Sequence, residues 1–464
     1  LVLCDEFRTD VEPMDSGDDS AYRKIHDRFI RKRVENLGKE PVKRRGYIQF
    51  CGAEDNDTDA AKETSYFENI REAIEKLHEN HHVIDKRTKK RISFGVVRVA
   101  NITPCVKVSL YLMKCGWSEG TAVRVMTYHS RQILLLRHEQ ERYLDKVLTR
   151  KTQSATVDFQ DETVRKHLDS TPEENIIFIL VATPVEEVGR DHDFDWAVVE
   201  PSSYRSIIQL AGRHRQPVSG TLEKKNMAIM AYNLKAWQGK EPAYSKPGYE
   251  TKKRKLNSYD MHDLVDEEEL GRRIDAVPRI LKPEMLDKEQ FCPDDKRYFS
   301  KLSDLEHASM MDFNCKGDCG PQCMHGWMEE YWWMTALPQG CSRFRESYGE
   351  EIKACAVYEE GVRNFLVYEG KEKTLLSDSV GITDYSGMTE EMEGRLWIIR
   401  DYEAALRRYV SDTSDVPQDV QMNEVSCRYG EITIPYGRSS TVDEWKYSDQ
   451  LGMFKLTEEN RQEG

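Results

Sequence analysis

Short apolar runs rich in β-branched residues alternate with segments of helical periodicity over the first 240 residues of the chain. The runs are "ISFGVVRVAN" (92–101), "TAVRVMTYHS" (121–130), "NIIFILVAT" (175–183), "WAVVEP" (196–201) and "MAIMAYN" (227–233). Such runs are typical of strands buried on both faces, and the intervals between them suit helical crossovers. The alternation therefore predicts an α/β domain with a doubly wound parallel sheet.

The intervals between these runs carry the spacing of amphipathic helices. Asn101 is placed to cap a helix over 104–116, and Gly116 is placed to end it. In the segment that follows residue 130, four apolar residues fall on one predicted helix face. They are Leu136, Leu144, Val147 and Leu148.

The composition changes after residue 240, and we divide the chain there. Residues 241–285 contain four prolines and the charged stretches "TKKRKL" and "DEEE", which predicts a linker with little core. Residues 286–464 are aromatic around "WMEEYWWM" and strand-like in "AVYEEGVRNFLVYEG". We expect a small α+β domain in that part and a single α/β domain over 1–240.

Charge and cysteine content limit the classes of function. The net charge of −14 argues against indiscriminate binding of nucleic acid, but it leaves room for a basic channel in an acidic protein. Basic clusters at 31–45, 85–91 and 251–256 are either solvated surface or parts of such a channel. The chain has no apolar run of about 18 residues, so we expect no membrane span. Its 11 scattered cysteines suit free thiols in a reducing cytoplasm.

The stretch "VATPVEEVGRDHDFDWAVVEPSSYRSIIQLAGRHRQ" (181–216) is the strongest candidate for chemistry. Thr183 follows a predicted strand, at the edge where open parallel sheets bind ligands. Gly189 would allow close backbone approach, and Asp191 could accept from a ribose hydroxyl or position a water. Arg213 would sit on a packed helix, where a guanidinium can stabilise charge on a transferred phosphoryl group. From the residues alone, a sheet whose arginines form surface salt bridges is an equal alternative.

This stretch resembles motifs V and VI of superfamily 2 helicases. It is most similar to the CRISPR-associated DNA helicase–nuclease family of type I systems, the Cas-three proteins, and within that family to the type I-F form. "FGVVRVANI" is similar to the family's motif IV, and "YHSRQILLLRHEQERYLDKVL" to its His-Ser helix. "LSDLEHASM" and the Trp-rich segment after it resemble its C-terminal domain. The resemblance implies a second RecA-like motor domain, a linker and a C-terminal domain.

The resemblance also implies roles for individual residues. Those that would face ATP across a cleft between two motor domains are Gly189, Asp191, Gln209, Arg213, Arg215 and Gln216, with Arg213 and Arg215 as the catalytic arginines. Those that would hold phosphates of single-stranded DNA are Thr183, His129 and Arg137. From charge density, we add a set of residues expected to border the DNA path, namely Lys89, Lys90 and Arg91.

The chain contains no G-x-x-x-x-G-K-[ST] loop to cradle phosphates. The family carries that loop in a first motor domain upstream, which would hold most of the ATP and Mg²⁺, together with an HD-type nuclease domain and its metal ions. We therefore expect a helicase and nuclease only in a longer polypeptide, and no activity from this chain alone. The partners implied are single-stranded DNA, the RNA-guided surveillance complex and the CRISPR integrase (Cas-one) complex. The alternative is a catalytically inactive RecA-like module that docks a partner protein.

Three segments that imitate known motifs are not assigned a role. "LVLCDEF" imitates a Walker B strand and "QSATV" (153–157) imitates motif III, but they lie too far apart to be that pair. Cys315, Cys319, Cys323 and His325 could close on zinc, yet their spacing is not the usual C-x-x-C, and we predict no metal site in this chain. In the family pattern, more residues separate "AGR" from "HRQ" than in this chain, where the two run together as "AGRHRQ". Either residues are absent from this sequence or the arginine finger is altered.

Overall fold

The computed structural model describes most of the chain. The described residues are 1–13, 18–52, 58–150, 154–187, 192–212, 222–281, 297–314, 320–321, 324–337, 350–359, 361–369, 372–376, 381–410, 415–436 and 444–455.

The strands, in chain order, are β1 Val2–Cys4, β2 Thr9–Val11, β3 Gly46–Gln49, β4 Val83–Asp85, β5 Arg91–Arg98, β6 Thr121–Tyr128, β7 Thr156–Val157, β8 Asn175–Ala182, β9 Trp196–Val199, β10 Met227–Met230, β11 Arg254–Leu256, β12 Arg297–Phe299, β13 Glu350–Glu359, β14 Val362–Glu369, β15 Glu372–Leu375, β16 Gly381–Asp384, β17 Glu431–Tyr436, β18 Glu444–Ser448 and β19 Gly452–Phe454.

The α-helices are α1 Asp19–Lys39, α2 Asp59–His81, α3 Ile102–Lys114, α4 Leu134–Leu148, α5 Glu162–Ser170, α6 Tyr204–Ala211, α7 Leu234–Trp237, α8 Met261–Leu264, α9 Glu267–Arg272, α10 Val277–Ile280, α11 Leu302–Asn314, α12 Met324–Glu329, α13 Glu390–Gly394, α14 Tyr402–Arg407 and α15 Gln418–Tyr429. Short 3-10 turns cover Pro184–Glu187 and Trp332–Met334.

A parallel sheet organises the first half of the chain, as predicted. Six parallel strands lie in the order β3-β10-β9-β5-β8-β6, and β4 and β7 extend the sheet beside the start of β5. Every residue of β8 after Asn175 is buried, so the sheet is covered on both faces. Helix α2 packs over β5, β9 and β10, and α3 packs over β6 and β8. The order of the strands confirms the α/β, doubly wound, RecA-like class.

All five predicted strands are present, and the predicted helices are present with small shifts at their ends. Asn101 occupies the N-cap position of α3, but its side chain makes no capping hydrogen bond. The four apolar residues predicted on one face of α4 do not all pack into the same hydrophobic cluster. Leu144 and Leu148 pack under the sheet, whereas Leu136 packs into a second cluster built mainly by the C-terminal region.

Residues 241–281 are more packed than a linker with little core. Tyr244, Met261, Leu264 and Leu270 are buried in the same cluster as the sheet, and α9 lies against β3. Apolar residues recur among the charges at intervals that give each short helix one buried face. The expectation of little core is therefore wrong for these residues, while the domain boundaries at 240 and 285 stay a prediction.

The C-terminal region contains two further sheets. Strands β15-β14-β13-β17 form an antiparallel sheet against which α15 packs, and β16-β18-β19 form a second sheet. This mixture of strands and helices agrees with the predicted α+β character. "LVLCDEF" forms β1, which pairs with β2 away from the main sheet, so it is not the buried strand that a Walker B motif requires.

Trp397 joins the C-terminal region to the parallel sheet. Its backbone N–H donates to the Val125 carbonyl at 2.9 Å, and the Val125 N–H donates to the Arg395 carbonyl at 2.7 Å. Its indole is fully buried with ring centroids 5.6 Å from Phe94 and 5.2 Å from Phe178. The segment before α14 therefore pairs with β6, and its tryptophan completes the core beneath β5 and β8.

No helix among the described residues is long and apolar enough to cross a membrane.

Substitution of Gly95, in the middle of β5, tests how tightly this sheet is packed. A Cβ at Gly95 would overlap the buried ring of Trp196 on the neighbouring strand. We expect Gly95→Ala to lower the free energy of unfolding by about 1–3 kcal/mol, because paired strands on both sides prevent relaxation. Urea denaturation measures the change. Gly116→Ala is the control, since a Cβ there meets nothing within 4 Å, and its effect should stay within about 0.5 kcal/mol.

Candidate functional site at the carboxyl edge of the sheet

The candidate site is the edge at which the parallel strands β5, β6, β8 and β9 end. Thr183 follows β8 and His129 follows β6, and the Thr183 N–H donates to the Tyr128 carbonyl at 3.1 Å. Both predicted residues therefore lie on adjacent strands at one edge, as the parallel register requires. Arg98, the last residue of β5, and Glu200, which follows β9, lie at the same edge.

Arg98 connects the loops of this edge. Its guanidinium is buried and donates through Nε to Glu187 at 2.7 Å, through Nη1 to the Glu200 carbonyl at 2.8 Å and through Nη2 to Ser202 Oγ at 2.7 Å. Glu187 ends the described part of the loop after β8, and Ser202 lies just before α6. The Arg98 side chain thus holds both the residue that precedes the segment 188–191 and the start of α6.

His192 fixes the other end of the 188–191 segment. Its Nδ1 lies 2.6 Å from Glu186 Oε1, and its Nε2 lies 2.9 Å from Asp145 Oδ1 on α4. Burial alone would lower the pKa of His192, but hydrogen bonds and charge from Glu186 and Asp145 outweigh burial and raise it. An imidazolium that donates to both carboxylates is the form this geometry favours. The residues flanking the segment are therefore joined to each other and to α4.

Most of the predicted ATP-facing residues lie outside the described residues. These are Gly189, Asp191, Arg213, Arg215 and Gln216, as well as the contracted "AGRHRQ" junction, and their roles stay predictions. Gln209 is half-buried on α6. Ser203 caps α6 by accepting from the Ser206 N–H at 3.0 Å, and Gly212 ends the helix. The helix therefore starts at the carboxyl edge and ends at Gly212, the last described residue before Arg213.

His129 faces inward rather than toward solvent. Its Nε2 lies 2.8 Å from the Leu451 carbonyl, and its Nδ1 accepts from the Arg131 N–H at 3.1 Å. Burial lowers the pKa of His129 to about 3, and nearby arginines add to the shift. A neutral, fully buried ring with both nitrogens engaged offers no charge to a phosphate. The geometry therefore does not support the direct contact predicted for His129, and it gives the ring a structural place instead.

Arg137 and Thr183 are the remaining predicted DNA residues at this edge. Arg137 is half-buried at the start of α4, where its Nη1 donates to the Ser130 carbonyl at 3.3 Å. Its Nε lies 3.7 Å from Glu141. Thr183 is buried and precedes the 3-10 turn. Ser130, in the loop that connects β6 to α4, is exposed.

Lys89, Lys90 and Arg91 lie at the opposite edge. Arg91 begins β5 and Arg98 ends it, so the two edges are separated by about 23 Å at roughly 3.3 Å per residue. Lys90 Nζ donates to the carbonyls of Leu168, at 2.9 Å, and Thr171, where it satisfies the end of α5. Lys89 and Arg91 are exposed. The structure therefore does not bring this basic set together with Thr183 and His129.

The possible zinc ligands lie outside the described part of the chain. Cys315, Cys319 and Cys323 lie outside the described residues, and the side chain of His325 is also outside them. Within the part of the chain that the structure describes, no three His, Cys, Asp or Glu side chains are grouped as metal ligands would be.

Two residues of this edge were missed by sequence reasoning. Arg98 is the one charged residue in the predicted apolar run 92–101, and that interruption is a signal that could have identified it. His192 gives no such signal, because its partner Asp145 lies 47 residues away and only the fold brings them together.

The sheet and its carboxyl edge define a RecA-like domain with an appended α+β region, and the comparisons with known proteins agree. The family model for the C-terminal part of the CRISPR-associated nuclease/helicase Cas3 matches residues 91–217. The CRISPR-associated nuclease/helicase Cas3 subtype I-F/YPEST of Pseudomonas aeruginosa (strain UCBPP-PA14) is 32% identical over 442 residues, which are 94% of this chain and 38% of that protein. Its counterpart in Pectobacterium atrosepticum is 35% identical over 60% of this chain and 25% of that protein.

The chain belongs to the Cas3 nuclease/helicase family and corresponds to its C-terminal part, as predicted. It spans well under half the length of these relatives. The crystal structure of T. fusca Cas3-AMPPNP covers 90% of this chain and 41% of that chain at 11% identity, with a TM-score of 0.36.

His192 predicts a specific pH dependence of stability. Because its pKa is raised in the folded state, its contribution is fully present below the unfolded value of about 6.5 and is lost as pH rises through the folded pKa. We expect His192→Asn to remove this component. Urea unfolding of both proteins from mildly acidic to alkaline pH measures the difference between their stability curves. His138→Asn, at an exposed position on α4, should follow the wild-type curve. Parallel curves for wild type and His192→Asn would contradict the charged form.

Proposed function

We propose that this chain provides the second motor domain and the C-terminal domain of an ATP-dependent superfamily 2 DNA helicase and nuclease that unwinds and degrades invading DNA in type I CRISPR interference. The observation that carries the proposal is the similarity to subtype I-F/YPEST Cas3 over 94% of the chain. The organisation of the carboxyl edge supports it, since the loops that carry motifs IV, V and VI are tied together there by Arg98.

On the nucleotide side, the chain would contribute Gly189, Asp191, Gln209, Gln216 and the arginines at 213 and 215. ATP with Mg²⁺ would be held mainly by a first motor domain outside this sequence. The nuclease metal ions would belong to an HD domain that is also outside it. The residues of this chain would complete the nucleotide site by placing a guanidinium where charge develops on the transferred phosphoryl group. This chain by itself is accordingly expected to hydrolyse no ATP.

On the DNA side, we propose that phosphates of single-stranded DNA follow the carboxyl edge, along Thr183, Ser130 and Arg137. The contacts of Arg98 and His192 hold the described residues on either side of residues 188–191, the segment that would meet ATP. Closing and reopening of the cleft between motor domains could then be transmitted to the DNA contacts through α4 and the loop after β8.

The partners that we propose follow from the family. They are single-stranded DNA, the RNA-guided surveillance complex that recruits the enzyme, and the CRISPR integrase (Cas-one) complex, all in the cytoplasm.

Substitution of Arg213 tests the proposed contribution of this chain to ATP hydrolysis. In the longer polypeptide, Arg213→Ala should lower DNA-stimulated ATP hydrolysis on the order of 10³-fold, since an arginine finger meets charge that develops only in the transition state. DNA affinity and melting temperature should be retained. Phosphate release with saturating single-stranded DNA measures the effect.

Arg205→Ala is the matched control, because Arg205 is exposed on the same helix and should be dispensable. Arg215→Ala serves as the comparison for the contracted junction. Near-normal turnover by the Arg213 variant would remove this residue from the catalytic assignment and shift the finger to Arg215.

The salt dependence of DNA binding tests which edge the DNA follows. Each phosphate contact contributes roughly 0.7 to the log–log slope of affinity against salt for a single strand. We expect Arg137→Gln to reduce that slope by about one contact, as measured by fluorescence anisotropy. Lys89→Gln combined with Arg91→Gln should leave it unchanged, because these exposed residues lie at the opposite edge. The reverse result would place the DNA along the basic segment, as the sequence alone predicts.

A further inference from the structure

The last described segment of the chain is docked on the loop that follows β6. The Leu451 carbonyl lies 2.8 Å from Nε2 of His129, and the Met453 N–H donates to the Arg131 carbonyl at 2.8 Å. Leu451 and Met453 are fully buried. Two hydrogen bonds two residues apart on each segment therefore hold the loop and the C-terminal segment in register.

Gly452 lies between these two hydrogen bonds and fits closely against the loop. Its φ of +73° is in the left-handed region that favours glycine. A Cβ at this position would lie 2.7 Å from Cε1 of His129 and 3.0 Å from Cγ of Gln132, and it would also overlap the Arg131 carbonyl. Any side chain here would both strain the backbone and push the loop away.

A polar network around Arg400 strengthens the same junction. The Arg400 N–H donates to Gln450 Oε1 at 3.0 Å, and its guanidinium donates to the Gln450 carbonyl and to Gln140 of α4. Gln140 in turn donates to the Thr127 carbonyl at 3.0 Å. The end of β6, the helix α4 and the C-terminal segment are thus joined by buried hydrogen bonds.

The same loop also contains an exposed serine and an arginine that contacts the C-terminal region. Ser130 is exposed, and its carbonyl accepts from Arg137. Arg131 lies with its guanidinium 5.2 Å from the ring of Trp445 on β18. The loop therefore has a buried side held by the C-terminal segment and an exposed residue, Ser130, which Arg137 of α4 contacts.

We propose that residues 449–454 are a positioning clamp, with Gly452 as its central residue. The clamp holds the loop after β6 so that Ser130 and Arg137 present their polar groups to the backbone of single-stranded DNA. His129 acts in this arrangement as the buried attachment point rather than as a DNA contact. The inference rests on the proposed function, because it assumes that the carboxyl edge meets DNA.

The test compares two glycine variants of the full chain. Gly452→Ala should displace the loop, whereas Gly361→Ala carries a similar left-handed strain, at φ +82°, in a turn where a Cβ meets nothing within 4 Å. Binding of a fluorescent oligothymidylate is measured across a salt series. We expect Gly452→Ala to lose at least one phosphate contact, a fall of about 0.7 in the log–log slope, and Gly361→Ala to match wild type.

The pH profile separates positioning from a general loss of stability. With the clamp closed, His129 stays neutral. When Gly452→Ala frees the ring, it should gain a proton near its ordinary pKa of about 6.5, so that lower pH restores part of the affinity. The charged groups around the ring are Arg131, Arg137 and Arg400, which oppose protonation while the ring is buried. The double variant Gly452→Ala with His129→Gln should lose this pH response.

The outcomes are distinct. Failure of the wild-type chain to bind the oligonucleotide would overturn the DNA side of the proposed function and the clamp with it. Wild-type binding that is unchanged by Gly452→Ala would overturn the clamp alone. If Gly452→Ala does not fold, Gln450→Ala replaces it, because this change removes the side-chain bonds to Arg400 and leaves the glycine fit intact. An unaltered slope in that variant would also count against the clamp.

Discussion

The buried guanidinium of Arg98 is the interaction on which the carboxyl edge depends. It stands at the end of the central strand and satisfies groups from the loop after β8, the end of β9 and the start of α6. Removing one partner of a buried ion pair typically costs about 3–5 kcal/mol, because the other charge is left without compensation. The loop after β8 and the loop between β9 and α6 are therefore both positioned by the Arg98 guanidinium.

The α/β class and five of the sheet strands could be predicted from the sequence, because strands buried on both faces appear as predominantly apolar runs. Strand β3 could not be predicted, since "GYIQ" has only two apolar residues and gains its burial from β10 and α9. The packing of residues 241–281 was missed for a similar reason. Their apolar residues are separated by charges and form a core only when the sheet is present.

The sequence predicts that the site lies at the ends of the parallel strands, but it does not predict how the side chains there are oriented. Thr183 and His129 lie at one edge of the sheet, because the ends of adjacent parallel strands share an edge. The orientation of His129 depends on Leu451, which lies 322 residues away, and no local pattern encodes that contact. Lys89, Lys90 and Arg91 were grouped with the site by charge alone, and charge carries no information about which edge of a sheet a turn occupies.

The pairing of residues 395–397 with β6 has a consequence beyond the fold itself. Strand β6 borders the parallel sheet, and a border strand with free backbone groups is a template for pairing with another molecule. Here the backbone of Val125 is occupied by a segment from the distant C-terminal region, whose tryptophan is buried behind it. A shortened protein that ended after the α/β domain would expose both the strand border and the apolar surface under Trp397, and we expect such a surface to favour self-association. The C-terminal region therefore covers both a border strand of the α/β domain and the apolar surface behind it.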